Sequence, residues 1–182
     1  MRLFVGLELP WELRTRLAGL SGRGIPGARW IPSENYHLTL RFIGEMPAWR
    51  AEEIHNALAE LRAPGFALTV SGLGTFQKGD RATTLFAGVE RSDQLGRLRS
   101  KIETALQRAG LEPERRRFSP HVTLARLDNV PEYKLVQFVQ ANNLFRAPPM
   151  TVEHFTLFSS QLGKEQAVYT AEAEYPLRGN SG

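Results

Sequence analysis

The segment LFVGLE, Leu3 to Glu8, returns 82 residues later as LFAGVE, Leu85 to Glu90. A second pair, HLTL from His37 and HVTL from His121, lies 84 residues apart. Two different segments repeated at nearly one offset mark a duplicated unit, and duplication restricts the chain to two similar halves that bury their apolar faces together.

Each copy of the first segment reads as a strand followed by a helical stretch, over about 11–21 in one half and 92–109 in the other. In the second stretch Leu95, Leu98, Ile102, Leu106 and Ala109 recur at helical spacing and stop before Gly110. Ile54, Leu58 and Leu61 mark a helix over about 48–62, and Leu135, Val136, Phe138 and Val139 its counterpart after Pro131. Strands rich in β-branched and aromatic residues follow: FALTVSGL and TTLFAGVE in one half, TVEHFTLFSS and AVYTAEAEY in the other. The last two pair as a hairpin across Gly163. Because LFAGVE closes one half and opens the next, the expected fold is α+β. It is a bilobal, duplicated β-α-β-α-β arrangement with two pseudo-symmetric, antiparallel-containing sheets around a central groove. Residues 1–178 then form a single domain of two interlocked lobes, with 179–182 a loose C-terminal tail.

A strand alternates its side chains, so His37 and Thr39 share one face while Leu38 and Leu40 point to the other. His121 and Thr123 repeat the pattern against Val122 and Leu124. A single His-x-Thr reads most simply as a strand with a polar solvent side. Two copies among only four histidines weaken that reading. Related by an approximate two-fold, the two strands bring His37 and His121 to opposite walls of one groove. Imidazoles titrating near pH 6.5 can then act as general acid and general base. In-line displacement at phosphorus needs both at once, and the two threonine hydroxyls can donate to non-bridging phosphate oxygens. Symmetry leaves open which histidine gives the proton and which takes it.

Composition removes several alternatives. There is no cysteine, which excludes thiol nucleophiles, disulfides and thiolate metal sites. Neither motif carries His-x-His or a carboxylate on the same strand face, so the three or four ligands of a zinc centre are not supplied, and no metal or cofactor is expected. No Gly-x-Ser-x-Gly elbow occurs. No apolar run is long enough for a membrane helix and the start shows no cleavage site, so a cytoplasmic protein without a membrane partner is expected, by default a monomer. A net charge of +4 favours a polyanionic partner without requiring one.

The two His-x-Thr-x motifs resemble those of the two-histidine phosphoesterase superfamily. RWIPSENYHLTLRFIG, FSPHVTLAR and the opening RLFVGLELP are similar to the branch of RNA 2′,3′-cyclic phosphodiesterases, also called 2′-5′ RNA ligases. The resemblance implies a bilobal fold and metal-independent opening of an RNA terminal 2′,3′-cyclic phosphate to a 2′-phosphate. It makes His37 the proton donor and His121 the proton acceptor, with Thr39 and Thr123 on the phosphate oxygens, and it adds 2′-5′ ligation as the reverse reaction. The partner it implies is RNA with cyclic-phosphate ends or a related nucleotide. LGKEQAVY stands where the family often has a Gly-rich turn, which leaves that loop's contacts open. Two other readings keep the scaffold: a nucleotide- or RNA-binding protein without turnover, and a phosphodiesterase for a small cyclic nucleotide.

Supporting residues follow from position. Arg41, four after His37, falls on the motif face by alternation, where it meets phosphate or ends the strand in solvent. Arg126, five after His121, is turned away by strict alternation, and a bulge near Ala125 restores it to the groove. Arg115, Arg116 and Arg117 can track an RNA backbone or form a solvated loop. Tyr36, Phe42 and Phe118 are candidates either to stack on a base or, as aromatics beside strands commonly do, to pack in the core. Phe42 shares parity with Leu38 and Leu40 and is expected in the core, and His55 and His154 are read as structural.

Overall fold

The computed structural model describes residues 1–22 and 24–178, so the proposed tail at 179–182 lies outside the described residues. In chain order the strands are β1 (Arg2–Glu8), β2 (Ala28–Trp30), β3 (His37–Glu45), β4 (Phe66–Leu68), β5 (Val70–Lys78), β6 (Arg81–Val89), β7 (His121–Leu127), β8 (Met150–Val152), β9 (His154–Leu162) and β10 (Ala167–Pro176). The helices are α1 (Trp11–Ala18), α2 (Ala48–Ala59), α3 (Asp93–Arg108) and α4 (Glu132–Asn142), all at or near the positions that periodicity sets.

Eight strands form one sheet in the order β10-β9-β1-β3-β7-β6-β5, with β2 on β7, and β4 pairs with β8 in a small second sheet. The two lobes are the halves of the large sheet. β1, β3, β9 and β10 make one, and β5, β6, β7 and β2 the other. They meet at a single register pair, Leu38↔Val122. The halves interlock because the fifth strand leaves its own half to pair with β6, while β9 returns to pair with β1. The hairpin expected across Gly163 is β9–β10, closed by the Gly163 N–H on the Gln166 carbonyl at 2.9 Å.

The buried residues explain the layering. α3 sets Leu95, Leu98, Ile102 and Leu106 into the main core, with Ile54 and Leu58 of α2 and Leu13 and Leu17 of α1. Leu38, Leu40, Val122 and Leu124 of the motif strands meet them there. α4 uses Leu135 and Phe138 to close a smaller cluster over Leu85, Ala125 and Leu127. α3 is capped by Ser92, whose hydroxyl accepts the Leu95 N–H at 3.1 Å. With helices taking the apolar face, the opposite face of the sheet is left to the polar motif residues.

The glycine in each copy of the opening repeat has a steric reason. A Cβ on Gly6 would lie 2.9 Å from the Leu38 carbonyl oxygen, and one on Gly88 would lie 2.7 Å from that of Ser71. Gly6 is paired with Thr39 and Gly88 with His121, so both glycines let backbone close in tightly beside a motif strand.

Candidate active site

β3 and β7 diverge from the Leu38↔Val122 pair, and the groove opens between them. Antiparallel register about that pair runs His37 toward Thr123 and Thr39 toward His121, so the two histidines stand on a diagonal. The cavity they line encloses about 590 Å³, within the range of small-ligand sites. Thr39, Thr123 and Arg126 line it, and Arg2 and Arg116 add positive charge.

Each histidine is held from behind in the same way. His37 Nδ1 lies 2.8 Å from the Asn35 carbonyl, and His121 Nδ1 lies 2.7 Å from the Ser119 carbonyl. A carbonyl only accepts, so Nδ1 carries the proton in both rings and Nε2 is the nitrogen left for chemistry. The pair then differs. His37 Nε2 is 2.8 Å from Thr39 Oγ1, whereas His121 Nε2 has no hydrogen-bond partner among the described residues. Burial lowers the pKa of His37, opposed by the Asn35 carbonyl and assisted by the charges of His121 and Arg126. Burial lowers that of His121 too, opposed by the Ser119 carbonyl and assisted by Arg126.

Aromatic rings frame each histidine. Phe4 lies 4.9 Å from the His37 ring and Tyr169 stands edge-on at 5.1 Å. Phe76 stands edge-on to His121 at 4.7 Å, with Phe86 at 5.3 Å. Sequence reading missed Phe4, Phe76, Phe86 and Tyr169, because all four come from other strands of the sheet, far away in the chain. Asn35 and Ser119 were also missed, although both sit two residues before a motif histidine and so share the 84-residue offset.

Bulges decide the flanking residues. Between β1 and β3 the register steps from Gly6↔Thr39 to Val5↔Arg41, which passes over Leu40. Leu40 and Arg41 therefore both face the helix layer. Arg41 is 8% exposed and its guanidinium meets only protein: Nε donates to Glu103 Oε2 at 2.8 Å, and other nitrogens to the Phe42 and Glu112 carbonyls. The expected groove position of Arg41 is thus corrected, since it is part of a buried ion pair with α3. The same bulge turns Phe42 out of the core into the groove, where it is 55% exposed. A matching step from Phe86↔Thr123 to Leu85↔Ala125 passes over Leu124 and puts Arg126 on the groove wall, 3.4 Å from Thr84 Oγ1.

Tyr36 and Phe118 require a second correction. Tyr36 is 3% exposed and belongs to the core, while Phe118 packs against that core with the Arg99 guanidinium 5.5 Å from its ring centre. Neither ring lines the groove. Of the arginine run, Arg116 lines the groove and also bonds to the Glu114 carboxylate. His55 bonds through Nδ1 to the Tyr175 hydroxyl at 2.9 Å. His154 gathers with Glu8 and Glu174, their ligand atoms within 4.8 Å of one another, but both glutamates are exposed. The Glu8 carboxylate takes a hydrogen bond from Thr156 at 3.1 Å.

Two carbonyl-braced imidazoles and two hydroxyls facing each other across a cationic groove are the apparatus of a phosphoesterase of the two-histidine class. The model of the family described as LigT like Phosphoesterase matches residues 9–86 and 88–169, and the chain belongs to that family. The RNA 2′,3′-cyclic phosphodiesterase of Thermotoga maritima is 30% identical over 187 residues, covering 98% of this chain and 97% of that protein. The protein of the same description from Aeropyrum pernix is 35% identical over 150 residues, covering 80% and 84%. Among solved structures, TT0787 of Thermus thermophilus superposes with a TM-score of 0.81 at 27% identity, covering 99% of this chain and all of its own. Escherichia coli LigT complexed with NADP+ does so with 0.75 at 26% identity, covering 98% of each.

Proposed function

We propose that this chain is a metal-independent RNA 2′,3′-cyclic phosphodiesterase with His37 as general acid and His121 as general base. The observation that carries the reading is the diagonal placement of two His-Thr pairs about one seam. Water attacks the cyclic phosphorus as His121 Nε2 takes its proton. The P–O3′ bond breaks as His37 Nε2–H protonates O3′, leaving a 2′-phosphate. Thr39, Thr123 and Arg126 steady the non-bridging oxygens, whose charge grows in the transition state. The free Nε2 of His121 suits a base. The doubly held His37 suits an acid, because its ring can keep two donors directed when protonated. With the 5′-hydroxyl of a second RNA in place of water, the same in-line chemistry joins RNA ends through a 2′-5′ linkage.

The family relatives described as RNA 2′,3′-cyclic phosphodiesterases and the nucleotide complex of LigT support an RNA end or a related nucleotide as substrate. No helix among the described residues is long and apolar enough to cross a membrane. We read residues 1–178 as one domain acting as a cytoplasmic monomer.

The test incubates metal-stripped wild type, His37→Ala and His121→Ala with a short RNA ending in a 2′,3′-cyclic phosphate and maps the product phosphate. Each substitution is expected to lower kcat by about 10²–10⁴-fold, the usual contribution of a positioned acid or base. Tight nucleotide binding without turnover in wild type would instead make this a binding protein.

A further inference from the structure

The two histidines are braced alike, but only one brace residue is anchored through its own side chain. Asn35 ends a single 3-10 turn, Ser33–Asn35, closed by the Asn35 N–H on the Pro32 carbonyl and the Tyr36 N–H on that of Ser33. So short a turn is weakly determined by its own hydrogen bonds. Besides the burial of Tyr36 that follows it, the turn has a distant tie: Asn35 Nδ2 donates to the Ala167 carbonyl at 2.9 Å, 132 residues away. Ala167 opens β10 and pairs with Leu162 at the tip of the β9–β10 hairpin. That hairpin also supplies Tyr169, whose ring stands edge-on to His37.

Ser119 is the duplicate of Asn35 at the 84-residue offset. Its carbonyl bonds to His121 Nδ1, yet among the described residues its side chain makes no hydrogen bond. The residue behind His121 therefore lacks a side-chain tie of its own, although its loop is held by the Glu103–Glu114 bond and by Phe118 on the core, and the residue behind His37 is tied to a hairpin that forms part of the groove wall.

We propose that Asn35 is a positioning residue for the reaction: its side chain ties the 3-10 turn to the β9–β10 hairpin so that its carbonyl holds His37 Nδ1–H and keeps Nε2 toward the groove. The inference rests on His37 being the general acid. A carbonyl acceptor at Nδ1 selects one tautomer and one ring orientation, and a proton transfer in line with a P–O bond tolerates little deviation from either. Divergence of the two halves at this position gives one histidine an anchor that the other lacks.

The test compares Asn35→Ala, which deletes the donor, with Asn35→Asp, which keeps the shape and sets an acceptor against the Ala167 carbonyl. His37→Ala is carried in parallel. Kinetics use a dinucleotide ending in a 2′,3′-cyclic phosphate, ring ¹⁵N spectra report the tautomer of each histidine, and thermal unfolding reports the fold. Both Asn35 variants are expected to lower kcat at least about fivefold with KM within about twofold. The His37 ring passes from one tautomer to a mixture while the His121 signals stay in place. A His37 ring and kcat unchanged from wild type would overturn the proposal. So would a disturbance shared by both histidines and accompanied by a lower Tm, which would make Asn35 a prop of the fold. Retained activity in His37→Ala would remove the general-acid reading separately, since the ring spectra decide the role of Asn35 without reference to turnover.

Discussion

Leu38 and Val122 form the one Cα pair that joins β3 to β7, and each lies between the histidine and the threonine of its own motif. Both are fully buried, so the seam between the lobes and the placement of the two motifs share the same two side chains. Leu38→Ala is expected to destabilise the protein by about 2–5 kcal/mol through the cavity it leaves, and Val122→Ala, which removes one carbon fewer, by less. They should also lower kcat at temperatures where the protein stays folded. Urea unfolding beside single-turnover rates checks this, and a stability loss with an untouched rate would separate seam from site.

Arg126 faces both histidines and lowers the pKa of each. With His37 as the proposed general acid, which must hold its proton, activity is expected to fall as pH rises above its pKa. Removing a nearby positive charge raises that pKa, and Arg126→Met is expected to move the alkaline limb of the kcat/KM profile to higher pH. It also raises KM by removing a phosphate partner. An alkaline limb that stays in place or moves down would show that Arg126 does not act on His37 through its charge.

Glu103 ties β3, α3 and the loop ahead of the second motif into one unit. Burial alone would raise its pKa, but hydrogen bonds from Arg41, the Glu114 N–H and Gln107 hold it down to about 2. A carboxylate with a depressed folded pKa contributes stability that is present above about pH 4.5 and is lost as pH falls toward 2, on the order of 3 kcal/mol in all. Urea midpoints of wild type should fall across that window, and those of Glu103→Gln should be flatter there. Arg41→Met strands a buried carboxylate at a cost of about 3–5 kcal/mol, yet leaves KM within a few-fold where the protein is folded. A KM rise above tenfold with the fold intact would return Arg41 to the phosphate.

The duplication made His37, Thr39, His121 and Thr123 legible, because repeated spacing and strand parity are both properties of the linear chain. Parity failed two residues later for a physical reason. Leu40 and Leu124 are each passed over by their partner strands, and after such a bulge every side chain changes face. Arg41 and Phe42 thereby exchanged their expected places, while Arg126 reached the groove by the bulge considered for it. Nothing local marks a bulge in LTLRFIG. A buried arginine is betrayed only by its acid, and Glu103 lies 62 residues away on a helix whose spacing identifies its apolar face but not the one charge within it.

Phe42 offers the last prediction, because its place in the groove was not expected. An exposed ring beside a phosphate site can stack on a nucleobase, a contact that contributes about 1–3 kcal/mol per base. Phe42 is 6.2 Å from Phe4, which itself lies against His37, so a base resting on Phe42 leaves its ribose phosphate within the groove. Phe42→Ala is expected to raise KM for an RNA-end substrate by about 5- to 100-fold with little change in the unfolding midpoint, since the ring supports no core. Tyr36→Ala should do the reverse, lowering stability through the cavity it leaves while KM in the surviving folded protein stays near wild type. Steady-state kinetics and thermal melts on the two variants separate the roles. A KM untouched by Phe42→Ala would return that ring to the core face that strand parity gives it, and a KM raised by Tyr36→Ala would place the Tyr36 ring on the substrate.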